Sequence, residues 1–423
     1  MSAKPGFNIV GHLRAAAGLG VAARMHAKAL AANGYPVAGF DVDYGGNEAL
    51  RDPAHELDVV ESLAALPFRH TLVFVSFQLL PTHWLRRLAP LRAARFRNAG
   101  FLFWELPAFP RPFIPAVRMF DAVVVSSGFV RQAVERADWT MPTLFAEQPL
   151  SIPKTLAARS AVRVRFAIPQ DAFVFAASFD LGGDVTRKNP DAIVASFLRA
   201  FGDDPSTWLL LKCNGNPQSI PAHPGVRAAL DAAKQAANVR LIVETMPYDE
   251  VLALYAASDA YVSLHRAEGL GLGPMEAMAL GKPVIATGYS GNTVFMSEQN
   301  SVLLPYRLTK TLGANWQYAP AFAGEGAVWA DVDPAHAAAA MTRVRHDRDF
   351  SERIAARAAR DIAERQRSAW AATYVPDLVE TLERSDRASL RKSLTAQLWR
   401  SQFTNPTQLR LTARSAFARL TRG

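Results

Sequence analysis

The sequence predicts an α/β protein of the doubly wound kind, built as two domains facing across a cleft. Three observations carry that expectation. Short apolar runs of strand length alternate with helical stretches along the chain, as buried parallel strands and their crossover helices do. The alternation is interrupted once, by the Pro-punctuated segment Gln148–Thr155, and then restarts. With 423 residues, half of them hydrophobic, the chain is also long enough for two cores. The boundaries expected are 1–150, 151–368, a helix over 369–384 packing back toward the first domain, and a basic tail over 385–423.

In the first half the strands are predicted at Phe7–Leu13, Val37–Val42, Thr71–Phe77, Gly100–Trp104, Ala122–Ser126 and Thr143–Glu147, with a helix over Gly20–Asn33. Each strand is a nearly unbroken apolar run, because a parallel sheet is covered on both faces. In the second half the strands are Phe173–Phe179, Trp208–Lys212, Val239–Val243, Ala260–Leu264, Pro283–Thr287 and Ser301–Leu304. Helices fit Asp191–Phe201, Pro224–Ala237, Tyr248–Ala257 and Pro274–Leu280. The Ala/Arg-rich stretch Pro334–Arg367 reads as one helix and Ala369–Arg384 as another. Active residues should converge between the carboxyl ends of the two sheets.

Composition narrows the function. The single cysteine, Cys213, offers neither a disulfide nor a zinc site. MSAKPGFNIVGHL lacks the apolar core of a secretory signal, and the run Thr71–Leu80 is too short to span a bilayer. Of the formal net charge of +9, +7 lies in the last 39 residues, where eight Arg/Lys (Arg387, Arg391, Lys392, Arg400, Arg410, Arg414, Arg419, Arg422) face one acid, Asp386. A nearly neutral body argues against a nucleic-acid groove. The tail suits phosphates or an anionic leaflet, or else is solvated. The expected location is cytoplasmic, peripheral at the inner face of the cytoplasmic membrane.

Four stretches carry chemistry. In HRAEGLGLGPMEAMALGKPVIATGYSGN, residues 265–292, Gly269, Gly271 and Gly273 let backbone approach a ligand. Pro274 suits the first position of a helix, whose free N–H groups favour an anion, and Gly281 closes that helix. Glu276 in the first turn is a favourable dipole partner. Glu268 has no such explanation, and a second carboxylate beside a phosphate-binding loop makes sense where sugar or ribose hydroxyls are held. In DLGGDVTRKNPDAIV, from Asp180, adjacent Arg187 and Lys188 supply a planar fork and a compact charge, both suited to a diphosphate, although solvated pairs of this kind are common.

Near the N-terminus, Gly18, Gly20 and Ala23 satisfy the permissive dinucleotide pattern, with Asp41 or Asp43 as the ribose acid. HLRAAA separates the strand from Gly18, however, so a loop closing over phosphates from the opposite domain fits better. In LFWELPAFP, Glu105 is either a carboxylate poised at the cleft or a solvated acid on a Trp-anchored turn. No nucleophile elbow, Walker A motif or H-E-x-x-H is present.

These residues resemble the retaining glycosyltransferases of family 4, which have the GT-B fold of two Rossmann-like domains facing across a cleft. The resemblance rests on the acid, seven residues, acid pattern from Glu268 to Glu276, followed by E-A-M-A-L-G-K-P-V-I-A-T, and on R-K-N-P at Arg187–Pro190. It covers Phe173–Leu304 strongly and the first half weakly. The resemblance implies that Glu276 binds the ribose hydroxyls of a nucleotide diphosphate sugar and Glu268 the donor sugar. The backbone around Gly269, Leu270, Gly271 and Leu272 would contact the sugar and distal phosphate, and Arg187 and Lys188 would neutralise the leaving group. Gly18 and Gly20 would form the facing loop.

No metal and no cofactor are then called for. The chain departs from the family in having Ser178-Phe179-Asp180 where a Gly-Arg pair is common, and Trp104-Glu105 where a His is common. This makes Glu105 a catalytic candidate beside Glu268 and Lys188. The expectation is a retaining hexosyltransferase with a mannosyl-type donor such as GDP-mannose and a glycan or lipid-linked acceptor in surface polysaccharide synthesis. The alternatives are a donor-binding protein that has lost transfer and, more remotely, a nicotinamide dehydrogenase built on Gly18–Ala23.

Overall fold

The computed structural model describes residues 4–42, 57–137, 140–181, 183–215, 224–314, 318 and 324–385. Six parallel strands form the first sheet: β1 (Phe7–Gly11), β2 (Val37–Asp41), β3 (His70–Phe74), β4 (Arg97–Leu102), β5 (Ala122–Val125) and β6 (Thr143–Phe145), in the order β2-β1-β3-β4-β5-β6. A second parallel sheet holds β7 (Phe173–Asp180), β8 (Thr207–Asn214), β9 (Val239–Val243), β10 (Ala260–Ser263), β11 (Val284–Thr287) and β12 (Val302–Leu304), in the order β12-β11-β10-β7-β8-β9. The two-domain α/β expectation holds. Strand order reverses between β1 and β3 in one sheet and between β10 and β7 in the other, and a crevice opens beyond the carboxyl ends at such reversals.

The strands form because both of their faces are covered. Along β3 every residue is buried, with Leu72 and Phe74 in one apolar cluster and Val73 in another on the opposite face. The second sheet divides in the same way, Phe175 and Ala177 on one face, Val174 and Ala176 on the other. The helices that position the site are α1 (Gly18–Ala32), α2 (Gly128–Glu135), α3 (Arg159–Arg165), α4 (Val185–Lys188), α5 (Pro190–Phe201), α6 (Pro224–Gln235), α7 (Tyr248–Ala257) and α8 (Leu272–Ala279).

The chain crosses between the sheets twice, side by side. The first crossing follows β6 and is held by α10 (Arg348–Trp370), which follows α9 (Pro334–His346). The Leu150 N–H donates to Gln366 Oε1 (2.6 Å), Trp370 Nε1 donates to the Leu150 carbonyl (3.0 Å), and Arg365 pairs with Glu147 (2.9 Å). The second crossing ends in α11 (Val375–Arg384), whose Leu378 and Leu382 are buried with Phe7 and Phe101 of the first sheet. Glu383 there pairs with Arg69 and His70, each at 2.8 Å.

The C-terminal helices differ from expectation in two places. Pro334–Arg367 is not one helix: the Asp347 side chain accepts from the Phe350 N–H (3.0 Å) and caps a new one. The last helix begins at Val375 rather than Ala369, because Ala372 adopts φ +48° and ends the preceding run. An antiparallel ribbon not read from the sequence, β13 (Arg307–Lys310) with β14 (Val328–Asp331), extends from the second domain. Asp43 and the basic residues of the tail, in 386–423, lie outside the described residues.

Candidate active site

β10 delivers the loop 264–271 to the crevice. Gly271, at φ +97°, ends the loop as the N-cap of α8, a conformation that would strain any other residue. The helix therefore starts two residues earlier than the sequence reading placed it, with Pro274 third in the helix rather than first. The loop is clamped from both sides. The Gly291 N–H donates to the Glu268 carbonyl (2.8 Å), and a Cβ on Gly291 would lie 2.1 Å from the Gly269 carbonyl oxygen. From the first domain, Ser127 Oγ donates to that Gly269 oxygen (2.8 Å), while Trp104 and Phe103 close over its Cα. His265 lies beneath the loop, fully buried between Ser263 (2.9 Å) and Asn292 (3.0 Å), and burial lowers its pKa.

The basic pair is positioned by its own four-residue turn. Asp184 accepts from the Arg187 N–H (2.9 Å) to start α4, and Asn189 ends it at φ +57°, a region Asn tolerates. The Asn189 amide donates to the Leu264 carbonyl (3.0 Å), and Pro190 opens α5. Arg187 consequently points inward, where Nη1 donates to the Ala267 carbonyl (2.6 Å) and to Glu268 Oε2 (3.1 Å). Lys188 Nζ takes the other Glu268 oxygen in a short contact. Burial would raise the Glu268 carboxyl, but Lys188 and then Arg187 outweigh it and bring its pKa down to about 2. Glu268 is therefore ionised at neutral pH although only 7% exposed.

Glu276 has the opposite environment. It lies in α8, buried, and accepts a hydrogen bond from the Tyr248 hydroxyl (2.9 Å). Burial pushes its pKa up to about 7, against the pull of Tyr248 and Lys188. One carboxylate of the pair is thus fixed as an anion, and the other sits near its titration point.

The first domain faces this wall with the start of α1 and with Glu105. Ala16, Ala17, Gly18 and Leu19 line the cleft, and the N-cap Ala17 has no side-chain oxygen to satisfy the helix N–H groups. Gly20 is behind them: a Cβ there would lie 2.5 Å from the carbonyl oxygens of His12 and Ala15, so its smallness serves packing. Asp41 accepts from the Arg14 N–H (3.1 Å). Glu105 Oε2 accepts from the Tyr318 hydroxyl (2.9 Å) and from Gln78 Nε2 (3.1 Å), while Oε1 is 3.8 Å from Arg187 Nη2. Burial raises its pKa against Arg187 and Tyr318. Arg187 so links carboxylates from both domains.

Together these groups line a cleft of about 770 Å³, with Glu105, Arg187, Lys188, Glu268, Gly269, Leu270, Gly271, Leu272, Glu276 and Gly18 on its walls. Gly20 is the one proposed donor contact that does not line it. The sequence reading missed Gln78, Lys212, Tyr248 and Tyr318, which do. For Lys212 a signal existed, a cation closing the apolar run WLLLK at the carboxyl end of a central strand. Tyr318 had none, since it lies between β13 and β14, 213 residues along the chain from Glu105. Among the described residues no three His, Cys, Asp or Glu side chains cluster as metal ligands would.

Comparison with known proteins finds likeness in sequence over part of the chain and in fold over most of it. Residues 226–306, which run from α6 through β12, match the family described as Glycosyl transferases group 1. At the level of individual proteins, the chain is 32% identical over 138 residues to a D-inositol 3-phosphate glycosyltransferase of Streptosporangium roseum. That match spans 32% of this chain and 31% of the relative, about a third of each. Among solved structures, sucrose-phosphate synthase of Thermosynechococcus elongatus superposes with a TM-score of 0.65 at 16% identity, over 90% of this chain and 100% of that one. Anabaena Alr3699/HepE, in complex with UDP and glucose, gives 0.62 at 14% identity over 93% and 99%. At these identities the likeness establishes the fold, two Rossmann-like domains of the GT-B type.

Proposed function

We propose that this protein is a glycosyltransferase that moves a hexose from a nucleotide diphosphate sugar to a glycan or lipid-linked acceptor in surface polysaccharide synthesis. The observation that carries the reading is Glu268, held ionised by Arg187 and Lys188 beside a helix N-terminus, with Glu276 one helical turn further on. Breaking the bond from sugar C1 to the diphosphate oxygen develops positive charge on the sugar and negative charge on the leaving group. The site offers carboxylate for the first and two cations with uncapped helix N–H groups for the second. Glu276, at the Tyr248 hydroxyl, is the acceptor for ribose hydroxyls. These cations are also the support for transfer without a metal or other cofactor.

Retention follows in this reading from attack on the face that the diphosphate leaves. The acceptor oxygen bonds to C1, and its proton passes to the departing phosphate oxygen. Glu105, across from Glu268 and hydrogen-bonded to Tyr318, faces the acceptor side. A mannosyl-type donor such as GDP-mannose is favoured by the resemblance of 265–296, while the UDP and glucose seen in the Anabaena structure make UDP-glucose the first comparison. The excess of Arg and Lys in the last 39 residues is the support for a position at an anionic membrane face, on the cytoplasmic side.

A second reading, a donor-binding protein without transfer, is favoured by Phe179-Asp180 standing where the family commonly has a cation. Both readings are tested by Glu268→Ala. Loss of turnover with donor still bound supports transfer through Glu268, and full activity refutes that role. A wild-type chain that binds donor but neither hydrolyses nor transfers it establishes the second reading.

A further inference from the structure

Among the described residues, one cation in the cleft has no close partner. Lys212, two residues before the end of β8, is 5% exposed and lines the cavity, yet no hydrogen bond or ion pair joins it to any described residue. Burying an ammonium without a hydrogen-bonded counter-ion is unfavourable. Burial indeed lowers its pKa, with Asp180 the strongest opposing charge and Glu244 a weaker one. Asp180 itself accepts from the Asn214 amide (3.2 Å). A group kept at such a cost in a ligand cleft is an argument for a ligand that satisfies it.

The surroundings say which part of the ligand. Lys212 lies beside Ser178 in the register of β7 and β8, one strand further from β10 and its Glu268 loop. The charges that act on it do not include Glu268, Glu276 or Glu105, the carboxylates that gather around Arg187 and Lys188. Tyr255, whose hydroxyl meets that of Ser178 (2.6 Å), lines the cleft with Met246, Tyr248 and Val251, aromatic and apolar surfaces that suit a planar ring. The cleft also contains Asp180, which would repel a phosphate and leaves a neutral ring unaffected.

We propose that Lys212 reads the nucleobase of the donor, its ammonium donating to a ring carbonyl and so selecting uracil or guanine over adenine. An ammonium is a donor only. Uracil offers O4 and guanine offers O6, whereas adenine presents an amino group at that position and shares only N7 with guanine as an acceptor. This assignment rests on the nucleotide-sugar reading, and it names the part of the donor that this cation recognises.

The test is calorimetric binding of UDP, GDP, ADP and inorganic pyrophosphate to the full chain and to Lys212→Met. The expected result is that wild type binds UDP or GDP about 10- to 100-fold more tightly than ADP, the range of one hydrogen bond to a charged group. Lys212→Met should bring all three within about threefold of one another and leave pyrophosphate binding unchanged. Lys212→Gln, which keeps a donor on a shorter arm, should retain part of the preference and covers the case in which the Met variant does not fold. A preference that survives in Lys212→Met overturns the proposal, as does a parallel loss of pyrophosphate binding, which would make Lys212 a phosphate contact. A wild-type chain that binds pyrophosphate but shows no preference among the nucleotides overturns the base assignment and leaves the donor reading standing. One that binds none of the nucleotides overturns both.

Discussion

Glu276→Gln separates the two carboxylates by their response to pH. In the folded chain burial raises the Glu276 pKa from 4.5 to about 7, so between those values the fold holds a proton that the unfolded chain has released. Stability from this group is fully present below the unfolded pKa of 4.5 and is lost as pH rises through 7. At about 1.4 kcal/mol per pH unit the loss is about 3 kcal/mol. At roughly 2–4 °C per kcal/mol for a domain of this size, that is a fall in melting temperature on the order of 10 °C.

Glutamine keeps an oxygen for the Tyr248 hydroxyl and does not titrate. The assay is therefore the difference in melting temperature between wild type and Glu276→Gln from pH 4.5 to 8, in which other titrating groups cancel. Wild type should lose its relative advantage across the window. On the proposed role of Glu276 toward the ribose hydroxyls, which calls for the ionised carboxylate, a nucleotide should expel up to one proton on binding at pH 6. A difference that is flat with pH, together with proton-neutral nucleotide binding, refutes the placement of Glu276.

Three further outcomes are expected. Tyr318→Phe removes a hydroxyl that joins Glu105 to Gln78; it should cost about 1 kcal/mol of stability and lower kcat with the donor KM unchanged, measured by melts and steady-state kinetics. Gly291→Ala places a methyl 2.1 Å from the Gly269 backbone oxygen, so the donor loop must shift; nucleotide affinity should fall by at least tenfold in titration while the first domain keeps its unfolding transition. Deleting Asp386–Gly423 should abolish flotation with anionic vesicles and leave transfer to a soluble acceptor unchanged, and undiminished flotation refutes the membrane role of the tail.

Much of the second domain was legible because its signals are local. Fully covered strands read as apolar runs, and an R-K-N-P turn needs an Asn that tolerates positive φ and a Pro that opens a helix, all within four residues. Glu268 stood out because nothing nearby explained a second acid. What stayed hidden depends on distance or on weak patterning. Arg307–Lys310 is an exposed strand without apolar alternation, so the ribbon whose strands flank Tyr318 left no periodic trace. The start of α8 differs from the expected one because the proline preference is local, whereas the chain turns into the helix at the positive φ of Gly271, where a Cβ would lie 3.3 Å from the distant Asn292. The break at Asp347 was lost in an Ala/Arg-rich run whose helical propensity is continuous across it.

The paired crossings between the domains bear on how the protein is made. The first sheet is complete by Phe145, but one of its faces is covered by Leu378 and Leu382 and pinned by Glu383. During synthesis that face waits, with Phe7, Phe74 and Phe101 lacking their last cover, while more than 200 residues of the second domain emerge. The second domain can close as a continuous piece, whereas the cover of the first is completed only by residues that follow it.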